Sequence, residues 1–323
     1  MRDARPDKLV LGNINLPIPA FFPSVSTVKT ALDPGEYLAL LYSLKELKPR
    51  FLVSAFDLAR YGNGTISEPL NRAYDAGVTV LMDSGNYESY WKGEQSRWTQ
   101  QDYHRVLRQY PCNIAFGFDE QNPPYDEDAH LGLIIDRWRR DQEAAGDRII
   151  IPIIHSNAKR LPDLCLRVVL DTQVPMIAVA ERRLGNGVIE RAQTVMALRD
   201  ALNASGRYVG LHLLGTGNPI SIALYSLAGA DSFDGLEWCQ TVVDHESALL
   251  FHFSHSDFFR HQTTWSEEDI SFQSRTLAHN LEFYADWMRR LRLAIHNDDA
   301  ISFCRFNFPQ RIFGQCASEL GWE

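Results

Sequence analysis

The feature that most constrains this chain is an alternation. Eight short, apolar, β-branched runs recur along it, and a longer stretch with helical spacing separates each from the next. The runs fall at 20–23, 50–55, 78–82, 113–118, 148–154, 174–179, 208–214 and 232–236. The spacing predicts a helix in each interval, at 34–47, 68–76, 99–110, 127–145, 158–170, 188–204 and 219–228. Some runs, RIIIPII and PMIAVA among them, are almost unbrokenly apolar. A strand reads that way when both its faces are buried, as in a parallel sheet covered by helices. Eight such strands with helical crossovers predict an α/β fold of the (β/α)8 TIM-barrel kind, with a doubly wound open sheet as the alternative.

After the eighth run the pattern changes. Residues 238–274 are rich in His, Phe, Ser and Asp and show no period. A helix is predicted over 277–295, where Leu281, Tyr284, Met288, Leu291 and Ile295 recur at helical spacing. The expected division is a barrel core over 1–237 and a C-terminal helical extension over 238–323 that completes it. A length of 323 residues accommodates a barrel of roughly 250 with such an appendage.

Composition narrows the function classes. Thirty-two Lys and Arg against 41 Asp and Glu leave a net charge of −9, which excludes a generally basic nucleic-acid binder; any such contact must come from a local patch. The five cysteines are scattered with no CxxC pair, which argues against a disulfide framework and against a four-cysteine zinc site. No run approaches the ~20 apolar residues of a membrane span, and no signal peptide is visible, so a soluble cytoplasmic protein without membrane contact is expected.

In a barrel of this type chemistry gathers where the strands end. The third run ends in Asp83-Ser84-Gly85-Asn86-Tyr87-Glu88 and the fourth in Asp119-Glu120-Gln121. The fifth ends in His155, the sixth in Glu181-Arg182-Arg183, the seventh in Gly215-Thr216-Gly217, and the eighth carries Asp234. A single Asp after a strand is more often a helix cap than a catalyst. Three around one pocket could divide the roles of nucleophile, proton donor and substrate acceptor, and crowding would raise the pKa of at least one. Tyr87 could offer an aromatic face to a planar group, or simply pack under its loop.

These motifs resemble those of the tRNA-guanine transglycosylase superfamily, which includes the queuine and archaeosine tRNA-ribosyltransferases. DSGNYE at 83–88 is similar to the family's DSGGFQ or DSGGYQ, and IAFGFDE at 114–120 to its strand ending in MAFDE. HLLGTGNP at 212–219 and GADSFDG at 229–235 resemble YLMGVGKP and GIDMFDC. LAHNLEFYADWMRRLRLAI at 277–295 matches the helix that carries EHN, and FFPSVSTVKT at 21–30 parallels FMPVGT…TVK. The resemblance implies a (β/α)8 barrel that exchanges guanine for a 7-deazaguanine base in nucleic acid. Carried over by motif, Asp234 would be the nucleophile at C1′ and Asp83 the general acid/base. Asp119 would take the amidine edge of the base, Tyr87 would stack on it, and His155 stands where the family has a base-binding Gln. Gly215 and Gly217 match the loop beside the pocket.

The departures are as informative. The family's zinc site, CxCxxC with a later His, is matched only at His279; His252, His255 and His261 are the candidates for a substitute set. No cofactor is therefore expected, zinc included. LEWC stands for LPTR after the nucleophile, removing a positive substrate contact, and AVAERRLG replaces GGLAVGE, placing Glu181 and two arginines where glycine and leucine would be. The basic clusters Arg137–Arg140, Arg182–Arg183 and Arg289–Arg292 are candidate phosphate contacts, with Arg182 and Arg183 on the expected site face. The partners so implied are a nucleic acid, tRNA or DNA, and a free 7-deazaguanine base, with a homodimer also compatible. Two alternatives stand beside base exchange: an N-glycosidase or base transferase acting on free nucleosides or nucleotides, and a non-catalytic binding subunit.

Overall fold

The structure is a computed structural model that describes residues 5–27, 32–44, 47, 50–94 and 97–322. Val28, Lys29 and Thr30 of the segment at 21–30 lie outside the described residues, as do parts of the helix expected at 34–47. The chain opens with an antiparallel hairpin, β1 (Lys8–Leu11) and β2 (Ile14–Pro17). The parallel strands follow: β3 (Ala20–Val25), β4 (Phe51–Ser54), β5 (Val80–Asp83), β6 (Ile114–Phe116), β7 (Ile149–Ile151), β8 (Ile153–Ile154), β9 (Met176–Ala180), β10 (Gly210–Leu214) and β11 (Ser232–Gly235). A second hairpin, β12 (Thr241–Val243) and β13 (Leu250–His252), comes after them.

The parallel sheet runs β7-β6-β5-β4-β3-β11-β10-β9-β8. Its two end strands are halves of one apolar run, divided at Pro152. β7 pairs with β6, and β8 pairs with β9. Proline has no N–H to give to a ladder, and here the chain changes partner: the carbonyl of Ile151 receives Gly117 N–H at 2.9 Å, and that of Pro152 receives Ala178 N–H at 3.0 Å. The sheet thus wraps round until its ends meet in one segment, giving a barrel-like parallel wall.

Side chains alternate across that wall with period two. Phe22, Leu52, Leu81, Phe116, Ile151 and Ala178 form an inner core. Their neighbours Phe21, Val53, Val80, Ile150, Val179 and Phe233 belong to the larger core beneath the helices. Each fully buried side chain of this size stabilises the fold by about 1.5–3 kcal/mol relative to exposure. Leu9, Leu11 and Leu16 of the first hairpin join the inner core. They stop the barrel where its strands begin: a Cβ on Gly210, at the start of β10, would stand 2.6 Å from Leu9 Cδ1.

The helices are α1 (Pro34–Ser43), α2 (Ala55–Tyr61), α3 (Ser67–Asp75), α4 (Asn86–Trp91), α5 (Gln100–Gln109), α6 (Glu127–Ala145), α7 (Leu161–Thr172), α8 (Val188–Asn203), α9 (Pro219–Ala228), α10 (Glu237–Gln240), α11 (Phe272–His296), α12 (Ala300–Asn307) and α13 (Gln310–Leu320). They start where the local chemistry directs: the Asp126 carboxylate caps α6 through Ala129 N–H at 2.7 Å, and Asn218 caps α9 ahead of a proline at its first position. α11 runs from Phe272, five residues before the expected start, and buries Leu277, Leu281, Tyr284, Met288 and Leu291. It lies on β3 and α9, with the Tyr284 ring stacked 4.5 Å from Phe21. Residues 238–274, patternless as sequence, hold α10, the second hairpin and two 3-10 turns. Asn280 of α11 fixes them, donating to the carbonyls of Trp238 and Thr241 and accepting Val243 N–H. Among the described residues no helix is long and apolar enough to cross a membrane.

Candidate active site

The alternation that fills the barrel also aims its carboxylates. On β5, Leu81 points inward, so Asp83 two residues later does too; on β11, Ser232 and Asp234 share the inward face, as His212 does on β10. A cleft of about 400 Å³ opens over these strand ends, and Asp83, Tyr87, Asp119, His155, Glu181, Arg182, Gly215 and Asp234 all line it. Glu88 and Glu237 line it as well, making six carboxylates against the two guanidiniums of Arg182 and Arg191. Such a cleft favours a ligand rich in hydrogen-bond donors.

Asp234 is held by three donors. Its Oδ2 accepts Ser24 Oγ–H at 2.8 Å, and its Oδ1 lies 3.1 Å from both Gly215 N and His212 Nε2. Gly215 adopts φ +77°, a left-handed conformation that glycine enters without strain and that turns its N–H to the carboxylate. His212 is buried in the barrel against Phe116, and its Nδ1 lies 2.6 Å from Ser232 Oγ. The hydroxyl fixes the ring, and the ring fixes the carboxylate.

Asp83 lies in the opposite condition. Among the described residues its carboxylate accepts a single hydrogen bond, from Gly85 N–H at 2.9 Å. Burial, followed by the charges of Glu88 and Asp119, raises its pKa well above the usual carboxylate range. Glu88, on α4, is raised to about 7 by burial and by Asp57. Glu237, at the start of α10, is raised to about 7 by burial, with Glu181 adding to it. Gly217 and Gly235 leave room for that side chain: a Cβ on either would stand 2.1 or 2.4 Å from Glu237 Oε2.

Asp119 is buried and already engaged. Its Oδ2 lies 2.6 Å from His155 Nε2 and accepts the Gln121 amide, while Oδ1 lies 3.3 Å from Asn86 Nδ2. Arg137 pins its backbone carbonyl at 2.8 Å. Gln121 also accepts Arg182 Nη2–H through Oε1 at 2.9 Å. The Arg182 guanidinium sits 4.5 Å over the Tyr87 ring, whose edge meets Trp91. Gln121, Arg182 and Tyr87 together form one rim of the cleft.

Three further expected residues, Glu181, Gly217 and Arg183, are held as follows. Glu181 lines the cleft, but its Oε1 is held by Arg191 at 2.9 Å and Tyr225 at 3.0 Å. Gly217 does not line it; it packs against Glu237, and its carbonyl accepts Tyr284 O–H. Arg183 faces an adjoining cavity beyond Gln121 rather than this one. The other two arginine clusters are occupied by structural contacts: Arg137 with Asp119 and Glu120, Arg289 and Arg290 with Asp286, and Arg292 with the Pro19 carbonyl where β3 begins.

The zinc that the resemblance implies finds no suitable ligand set. His279 Nε2 lies 2.8 Å from the Val243 carbonyl, and its ring lies 4.2 Å from His245. Burial and this neighbour lower the His245 pKa to about 4. His252, His255 and His261 are exposed, and among the described residues no three His, Cys, Asp or Glu side chains come together as a metal would require.

His212, Glu88, Glu237 and Gln121 are the site residues that sequence reasoning passed over. For His212 the signal was present, since period two along 208–214 puts it on the inward face below the strand end. Comparison of the chain with models of known families and with curated proteins gives no match.

Proposed function

We propose that this protein is a base-exchanging glycosyltransferase, replacing guanine in a nucleic acid with a 7-deazaguanine base. One observation carries the reading. Two inward carboxylates share a cleft in opposite states, Asp83 buried among other acids and Asp234 held by three donors. Glycosidic cleavage with retention requires such a pair, one side chain to give and take a proton and one to attack carbon.

In this reading Asp234 attacks C1′ as the bond from C1′ to the base nitrogen breaks, and Asp83 gives its proton to the departing base. The sugar is then an ester on Asp234. A second base enters, loses its proton to Asp83 and attacks C1′, which frees the Asp234 carboxylate. Both partners are restored, and two inversions give net retention. The donor-rich edge of a guanine-like base suits the acidic cleft, with Asp119 as its acceptor once Gln121 swings aside. Tyr87 and Arg182 at the rim offer flat surfaces to a base.

The test is incubation with labelled 7-deazaguanine bases and either bulk tRNA or duplex DNA. Label is expected in one polymer with wild-type protein and in neither with Asp234→Ala, while that variant still binds free base. Incorporation within tenfold of wild type would move the nucleophile elsewhere. Release of free base from a nucleoside without incorporation would favour the hydrolytic alternative.

A further inference from the structure

A second cavity of about 340 Å³ adjoins the carboxylate cleft on the same face, across the 121–125 loop. Its character is reversed. Arg160, Arg183, His130, Ser156 and Asn157 line it, and Glu127 is its one acid.

Among the described residues the donors here are incompletely paired. Arg183 Nε is buried without a hydrogen-bond partner, and its Nη2 reaches only the Gln121 carbonyl at a long 3.4 Å. Arg160 pairs with Glu127 through Nε at 2.9 Å, and its half-exposed guanidinium lies 5.2 Å from the exposed Tyr125 ring. His130 is 4% exposed, and its ring has no hydrogen bond among the described residues. The Asn157 side-chain oxygen accepts Arg160 N–H at 3.2 Å, which fixes the carboxamide at the cavity wall. α7 begins at this wall and directs the positive end of its dipole there. A buried donor without an acceptor, such as Arg183 Nε, costs free energy unless a ligand supplies the acceptor.

We infer that this cavity is a phosphate site. A phosphate group brings several acceptor oxygens and negative charge, which matches two guanidiniums, an imidazole, an amide and a hydroxyl. The volume exceeds what the anion alone needs, and Tyr125 and Leu164 provide an apolar wall for the sugar that carries it. Resting on the base-exchange reading, the phosphate is the one next to the reacting nucleotide: the base enters the acidic cleft while its flanking phosphate enters the basic one, and Gln121 separates the two. Arg182 then contacts the base, and Arg183 contacts the backbone.

The experiment titrates the full chain, wild type and Arg160→Ala with Arg183→Ala, with three probes: inorganic phosphate, a trinucleotide with a central guanosine, and free 7-deazaguanine. Wild type is expected to bind phosphate, and the double variant to bind it at least roughly tenfold more weakly, since it loses charged hydrogen bonds to the anion. The trinucleotide should lose a similar factor and the free base none. The His130 ring resonances should titrate at higher pH when phosphate is bound. Equal phosphate affinity in both proteins, or none in wild type, overturns the site. Loss of inorganic phosphate binding with unchanged trinucleotide affinity makes it a site for free phosphate and overturns the strand assignment. Phosphate binding without any affinity for the base would sink the base-exchange reading and leave the anion site standing.

Discussion

Asp83 and Asp234 are the same side chain, each directed inward near the end of its strand, and their surroundings set them apart. Asp83 has one N–H and several negative neighbours; Asp234 has a hydroxyl, an amide and an imidazole. If Asp83 is the acid/base of the proposed exchange, Asp83→Asn keeps the shape and removes the proton transfer, so turnover should fall by roughly 10²–10⁴. Wild-type turnover should decline as pH rises through the raised Asp83 pKa, because the leaving base then lacks its proton, and the variant should lose that limb. A variant profile with the same alkaline limb would assign the titration to another group. Asp83 and Asp119 were legible because each sits where an apolar run stops, and Asp234 because it interrupts one. Glu237 was not, since its role comes from meeting Gly217 and Gly235, which no local pattern reports. The position of Gln121 over Asp119 was equally invisible, because it depends on how the loop folds back.

Strands were the most readable elements, since a strand buried on both faces leaves an unbroken apolar trace. The run at 148–154 was readable as a strand, whereas its division at Pro152 between two partners required the sheet itself. The first hairpin escaped notice because each of its strands is four residues long and alternates with solvent, a weak signal beside the barrel runs. α2 and α4 were missed for a related reason: at seven and six residues they complete too few turns to show a period. The start of the segment at 238–274 takes its order from Asn280, some forty residues further along the chain, so no window across 238–243 could have revealed its shape.

The acidic cleft also affects the molecule as a whole. Glu88 titrates near 4.5 in an unfolded chain and at about 7 in the fold, so the folded state holds its proton more tightly. Its contribution to stability is fully present below about pH 4.5 and is lost as pH rises through 7, costing up to roughly 3 kcal/mol once ionised. Glu88→Gln should therefore raise the melting temperature at pH 8 and leave it nearly unchanged at pH 5; an equal change at both would show that Glu88 does not titrate in this range. The hairpin that stops the other end of the barrel has a consequence of a different kind. A vessel sealed at its base has a single doorway, so in base exchange the outgoing and incoming bases must take turns through it. The chemistry then becomes a queue, in which the first base departs before the second is admitted. Initial rates should give parallel double-reciprocal lines, with free guanine competing against the incoming base, and intersecting lines would mean that both bases occupy the chamber together.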